Sequence, residues 1–221
     1  MTRSTTPPLA LLPSVIEAVE EAGRALRTEF HRPAGPRGRG KHAEIDMEIE
    51  VLLKNRLLAL RPCGWLGEET GALASTDPGR WVVDPHDGTR DFLNGLRGSS
   101  ISVALLEGER PVLGVVFAPT APDDGGDLIA WAEGGTLTRN GQPAEARSSW
   151  DTPVVALNAD AGDYADDNHR ALPGFRIRAL PSPAYRLALA ALGEVDAALS
   201  LASGLASWDV AGGHALLLGA G

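Results

Sequence analysis

Cysteine is almost absent from this chain, with Cys63 standing alone among 221 residues. A single thiol excludes an internal disulfide framework and any cysteine-rich zinc site. Lysine is nearly as scarce. Of the 20 basic residues only Lys41 and Lys54 are lysine, so chemistry that needs a lysine late in the chain is excluded. No apolar run approaches a membrane span, and the polar start from Met1 to Pro8 does not read as a signal peptide. We therefore expect no membrane partner and a cytoplasmic location. Positive charge is also short, 20 Lys and Arg against 29 Asp and Glu, for a net charge of −9. That balance argues against a nucleic-acid polymer as partner, which needs a basic face. Small anionic ligands stay open, because a bound metal reverses the local sign.

What is present is the composition of a folded globular chain, 43% hydrophobic and 22% charged. From Leu9 to Phe30 apolar residues recur at helical spacing. The stretch from His31 to Gly40, rich in Pro, Gly and Arg, reads as a loop. Its Arg37 and Arg39, with Lys41, are either a mobile lid over an anionic ligand or solubilising charges. A second helix is expected from about Ala43 to Leu60, stopped by Pro62. Short β-type runs then follow at Trp81–Asp84, Ser100–Leu106, Val112–Phe117 and Leu128–Glu133, and Asn140-Gly141 signals a hairpin. Beyond these, β and α alternate: strands at Pro153–Leu157, Phe175–Leu180 and Val195–Leu201, and helices at Tyr164–Leu172, Ala184–Leu192 and from Asp209. This order predicts an α+β half, residues 1–145, joined near Ala144–Thr152 to an α/β half, residues 146–221. The acidic segments Pro122–Asp127 and Asp160–Asp167 read as solvated loops.

The chemistry concentrates in Trp81-Val-Val-Asp-Pro-His-Asp-Gly-Thr89. An apolar strand delivers Asp84, Pro85 stiffens the turn, and Asp87 follows three residues on. Two carboxylates this close repel by roughly 1–4 kcal/mol at surface-like dielectric. A hard cation between them removes the conflict, and oxygen-only ligands select Mg²⁺ or Mn²⁺ over zinc. The alternative is a turn with an Asp cap. Two further acidic clusters weigh against it: Gly67-Glu68-Glu69-Thr70 after Trp65-Leu66, and Trp208-Asp209 opening the last helix. Together the three read as a split metal site.

Gly67-Glu68-Glu69, Asp84-Pro-x-Asp87-Gly-Thr89 and Trp208-Asp209-x-Ala-Gly resemble, in order and separation, the three signatures of the inositol monophosphatase family. The resemblance implies a layered α/β/α/β/α fold, often as a homodimer, and Mg²⁺-dependent hydrolysis of a small phosphorylated metabolite. By position it implies that Glu68, Asp84 and the His86 carbonyl hold one Mg²⁺ ion, and Asp84, Asp87 and Asp209 a second. A third, weaker ion lies near Asp46 in that family; the other reading of Asp46 is an ordinary exposed helix face. Glu68 and Thr89 would orient and deprotonate the attacking water, with Asp84 between the ions. Asp87, Gly88, Thr89, Arg186 and Asp209 would contact the substrate. The His86 side chain reads as incidental. Arg186, in Ser182-Pro-Ala-Tyr-Arg186, resembles the basic residue of the bisphosphate-nucleotidase branch, as does the Arg90-Asp91-Phe92 continuation; the plain alternative is a solvated helix residue. Substrate choice is therefore an inositol monophosphate or, alternatively, a 3'(2'),5'-bisphosphate nucleotide. Family members continue well past the Trp-Asp helix, whereas this chain stops at Gly221, so we expect a shortened C-terminal end. A non-catalytic metal-binding relative is the alternative that this shortening raises.

Rival phosphate chemistries fail on single residues. Gly35-x-x-x-x-Gly40-Lys41 imitates a P-loop, but His42 replaces the required Ser or Thr and no strand precedes it. A haloacid-dehalogenase motif spaces its aspartates two apart rather than three and needs a later lysine. A cysteine phosphatase needs Arg six residues after its nucleophile, where Glu69 stands. There is no Gly-x-Ser-x-Gly elbow for a serine hydrolase.

Overall fold

A computed structural model describes residues 6–144, 151–201 and 204–221. Helix α1 (Pro8–Phe30) leads through a small hairpin, β1 (Gly38–Arg39) and β2 (His42–Ala43), into α2 (Glu44–Leu60). An eight-stranded sheet follows, formed by β3 (Gly64–Gly67), β4 (Gly71–Leu73), β5 (Gly79–Asp87), β6 (Ser100–Glu107), β7 (Arg110–Ala118), β8 (Asp127–Ala132), β9 (Thr138–Arg139) and β10 (Gln142–Pro143), with the short α3 (Thr89–Leu93) after β5. Its order is β10-β9-β8-β7-β6-β5-β3-β4, antiparallel throughout except for the parallel β3–β5 pair. The remainder is β11 (Val154–Leu157), a 3₁₀ turn at Ala159–Tyr164, α4 (Ala165–Ala171), β12 (Arg176–Ala179), α5 (Pro183–Ala191), β13 (Ala197–Ala198) and α6 (Ser207–Ala220). Strands β12, β11 and β13 form a second, parallel sheet.

Alternation along the strands sorts the layers. Val103, Leu105 and Val115 point to one face of the large sheet and pack with Val15, Val19, Leu26, Leu53 and Leu57 of α1 and α2. Ala104 and Leu106 point the other way, toward Ala211 of α6, and Val116 packs there with Leu189 of α5 and Leu216 of α6. Val155 and Leu157 of β11 meet Ala161, Leu172 and Phe175 on the outer side of the small sheet. The result is the expected α/β/α/β/α sandwich. Each fully buried Leu or Val contributes about 1.5–3 kcal/mol. The approach of α6 is close: a Cβ on Gly212 would stand 2.5 Å from Ser102 Oγ, and one on Gly213 equally near Leu187 Cβ.

The expected elements appear with four corrections. The acidic segment Asp160–Asp167 is not a loop: it forms the 3₁₀ turn and runs into α4. The Val195–Leu201 strand shrinks to Ala197–Ala198, which has β11 as its partner. The last helix starts at Ser207, so Asp209 lies inside its first turn and accepts the Ala206 N–H at 2.5 Å. Asp127 is not solvated. It is fully buried and held by Arg139 at 2.7 and 2.8 Å and by the Tyr185 hydroxyl at 2.7 Å. The join near Ala144–Thr152 falls largely on residues 145–150, outside the described residues.

Candidate active site

Asp84 and Asp87 are three residues apart, so a regular strand would send them to opposite faces of the sheet. The register of β5 against β6 shifts between them: Asp84 pairs with Ser102, yet Asp87 pairs with Ser100. This bulge takes up the odd residue and brings both carboxylates to the α5–α6 face. Pro85 sits in it, where a strand tolerates the missing N–H. His86, between them, points to the α2 face. Gly88 follows at φ 93°, a left-handed turn that suits glycine, and α3 starts at Thr89.

Asp209 arrives from α6, and Asp84, Asp87 and Asp209 each place an oxygen within 4.8 Å of the other two. Glu68 reaches the same cavity from the turn after β3. The cavity, about 310 Å³, is also lined by Thr89, Arg90, Asp160, Arg186 and Lys41. Charged pairs at this spacing repel by roughly 3–4 kcal/mol at an effective dielectric of about 20. Burial, then the charges of Asp87, Glu68 and Asp209, hold the Asp84 carboxyl well above its usual range. Burial lifts Asp87 to about 7, against hydrogen bonds from Ser182 and Ala184. Glu68 rises to about 7, by desolvation first and then by Glu69, Asp209 and Asp46. Asp209 is raised by burial. Four all-oxygen donors that resist ionising together fit a hard divalent cation that neutralises them.

The buried surroundings fix these groups. Ser182, the N-cap of α5, donates to Asp87 Oδ2 at 2.5 Å, and the Ala184 N–H donates to the same oxygen at 2.7 Å. Glu50, fully buried on α2, accepts from the amides of Glu69 at 2.8 Å and Thr70 at 2.7 Å and from the Thr70 hydroxyl at 2.6 Å. It thereby shapes the turn that carries Glu68, and a Cβ on Gly67 would overlap its carboxylate. Sequence reasoning missed Glu50. The signal was there, since Asp46 and Glu50 are acids four apart beside the apolar positions Ile45, Ile49 and Leu53.

Three further readings change. Asp46 is not on an exposed face: it is buried, with Oδ2 accepting the Ala43 N–H at 2.8 Å and Oδ1 lying 2.7 Å from His86 Nδ1. The His86 side chain is not incidental. It is buried, lies 3.2 Å from Ser99 Oγ through Nε2, and meets the Phe92 ring edge-on at 4.3 Å. Its carbonyl accepts the Thr89 hydroxyl at 2.6 Å. Arg186 is not solvated: it is 1% exposed, its Nη1 donates to the Leu180 carbonyl at 2.7 Å, and its Nη2 is buried without a partner. Of the basic residues expected near a lid, Arg37 is engaged by Glu29 at 2.7 Å, while Lys41 lines the cavity.

Comparison with known proteins gives the family and the fold. The profile of the inositol monophosphatase family matches residues 10–221. Inositol-1-monophosphatase of Rhizobium meliloti is 31% identical over 96% of this chain and 84% of its own length. The crystal structure of extragenic suppressor protein suhB from Bartonella henselae superposes with a TM-score of 0.80 at 26% identity, covering 96% of this chain and 85% of that one. The 3'(2'),5'-bisphosphate nucleotidase CysQ of Aggregatibacter actinomycetemcomitans is 34% identical, but over 49% of this chain and 44% of its own. No helix among the described residues is long and apolar enough to cross a membrane.

Proposed function

Because the chain belongs to the inositol monophosphatase family, we propose that it hydrolyses the phosphate monoester of a small metabolite, an inositol monophosphate or a compound of similar size, with Mg²⁺ as cofactor. One observation carries this reading: oxygens of Asp84, Asp87 and Asp209 converge within 4.8 Å in the wall of a cavity of about 310 Å³. Glu68, Asp84 and the His86 carbonyl would hold one ion, and Asp84, Asp87 and Asp209 a second, an all-oxygen donor set suited to Mg²⁺. Such cations would supply charge neutralisation for the phosphoryl oxygens and a lowered pKa for water.

The chain's own residues do the rest. Glu68, which the bound cations would hold in its carboxylate form, would take a proton from the attacking water. Thr89 commits its hydroxyl hydrogen to the His86 carbonyl, so its oxygen lone pairs are left to accept from that water. The amides of Gly88 and Thr89 at the cavity wall donate to phosphate oxygens. Positioning and charge neutralisation suffice for phosphoryl transfer, and no covalent nucleophile is required. A second reading, a 3'(2'),5'-bisphosphate nucleotidase, draws on Arg186, whose unpartnered Nη2 at the cavity would suit a second anionic group.

The test is phosphate release from inositol monophosphate, sugar phosphates and adenosine 3',5'-bisphosphate, with and without Mg²⁺. Mg²⁺-dependent release from the monophosphates supports the reading. Release from the bisphosphate alone selects the nucleotidase. No release from any of them sinks the enzyme and leaves a metal-binding relative.

A further inference from the structure

The proposed reaction uses the carbonyl of His86 and leaves its ring without a task. Yet every polar atom of this residue is engaged. Its N–H donates to Asp84 Oδ1 at 2.8 Å, and its carbonyl accepts from Thr89 at 2.6 Å. Nδ1 lies 2.7 Å from Asp46 Oδ1, and Nε2 lies 3.2 Å from Ser99 Oγ. The backbone faces the cavity loop while the ring faces the start of α2, so His86 joins the two.

Asp46 passes the link on. Its second oxygen takes the N–H of Ala43, the last residue of the β1–β2 hairpin. That hairpin has two residues per strand, with pairings Gly38–Ala43 and Arg39–His42. So short a ribbon does not hold itself in water; it needs an outside anchor. Before Ala43 the hairpin reaches the cavity through Lys41. Lys41 lines the cavity together with Asp209, and His42 Nδ1 is 3.9 Å from Glu69 Oε1.

We propose that the His86 imidazole is a positioning residue: by holding Asp46 it anchors the Gly38–Ala43 hairpin, and so places Lys41 over the cavity beside Asp209. Asp46, with one oxygen given to His86 and the other to Ala43, then serves as the joint of this anchor and not as a ligand for a third cation. Only the effect on turnover rests on the phosphatase reading; the anchoring itself does not.

Amide hydrogen exchange of metal-free protein, read over residues 37–46, tests the anchor without turnover. His86→Leu removes both ring bonds and speeds exchange of the hairpin by about tenfold, the effect of one lost hydrogen bond. His86→Asn puts an amide nitrogen where Nδ1 sits and restores protection. His86→Gln reaches the Nε2 position, toward Ser99, and does not. Unchanged exchange in His86→Leu, or equal rescue by Asn and Gln, overturns the proposal; should His86→Leu fail to fold, the Asn–Gln contrast decides alone. In kinetics, Lys41→Ala raises KM several-fold in the otherwise native protein and adds nothing in the His86→Leu background. Effects that multiply instead would show that His86 does not act through Lys41. Absence of turnover on every ester would sink the phosphatase reading and leave the exchange result standing.

Discussion

Ser182 Oγ donates to Asp87 Oδ2 at 2.5 Å across 95 residues of sequence, while the same Oγ accepts the Tyr185 N–H at 2.9 Å. One hydroxyl thus caps α5 and orients a carboxylate of the acidic cluster. Ser182→Ala loses both of these bonds and a third, with Ser100 Oγ at 2.8 Å. We expect a loss of about 2–3 kcal/mol in unfolding free energy and a higher Mg²⁺ requirement, because Asp87 also loses a bond that favours its ionised form. Denaturant midpoints and a Mg²⁺ titration read the two effects. An unchanged Mg²⁺ requirement would place Ser182 in the helix cap alone.

Glu50 invites a conservative change. It accepts three hydrogen bonds through two oxygens. Glu50→Gln turns one of those oxygens into a donor that faces a donor, inside the protein. The expected cost is about 2–3 kcal/mol of stability, together with reduced activity as the Glu68 turn loosens. Thermal unfolding and turnover should fall together; a drop in stability with full activity would separate Glu50 from the site.

Stability should depend on pH in a direction opposite to that of a salt-bridged acid. Glu68 and Asp87 stand at about 7 in the fold, and Asp84 and Asp209 are also raised. Unfolded carboxyls titrate at about 4. A raised group contributes stability that is fully present below that value and is lost as pH climbs through the folded pKa. The metal-free protein should therefore lose melting temperature between about pH 4 and 7, and Mg²⁺ should restore more of it at pH 8, where protons no longer compete. Asp84→Asn should flatten the metal-free profile and abolish both the Mg²⁺ shift and activity. A native profile that stays level would contradict the crowding of charge.

Gly212 tests how closely α6 must lie on the sheet. A methyl there meets Ser102 Oγ at 2.5 Å and the Val103 carbonyl at 3.3 Å. We expect Gly212→Ala to cost about 1–3 kcal/mol by overpacking and to weaken Mg²⁺ binding by moving Asp209 away from Asp84. Adding Ser102→Ala removes the nearest atom and should recover part of both losses. No recovery would mean that the clash lies elsewhere.

Much of this molecule was legible because its signals are local. Helical spacing marked α1 and α2, short β-type runs marked β5–β8, and Asn140-Gly141 marked the β9–β10 turn. The four acids stood out because their three clusters each lie at the end of an apolar segment. What stayed hidden depends on partners distant in sequence. Asp127 looked like one more acid in a polar loop until Arg139 and Tyr185 closed over it. His86 and Asp46, 40 residues apart, have no shared local pattern, and the alternative reading of Arg186 as a solvated helix residue stayed open because only the fold buries it. The bulge that turns Asp84 and Asp87 to one side is a property of the β5–β6 register, and a single strand does not display its register.

The placement of Asp209 on α6, away from the strand that carries Asp84 and Asp87, bears on how the chain acquires its final shape. Before α6 has docked, the ribosome has already delivered β5, but the binding site is incomplete. An ion captured by the finished cluster ties early-made chain to late-made chain, and its affinity is shared by the whole fold. A metal bound there would then act as a latch on maturation as well as a reagent.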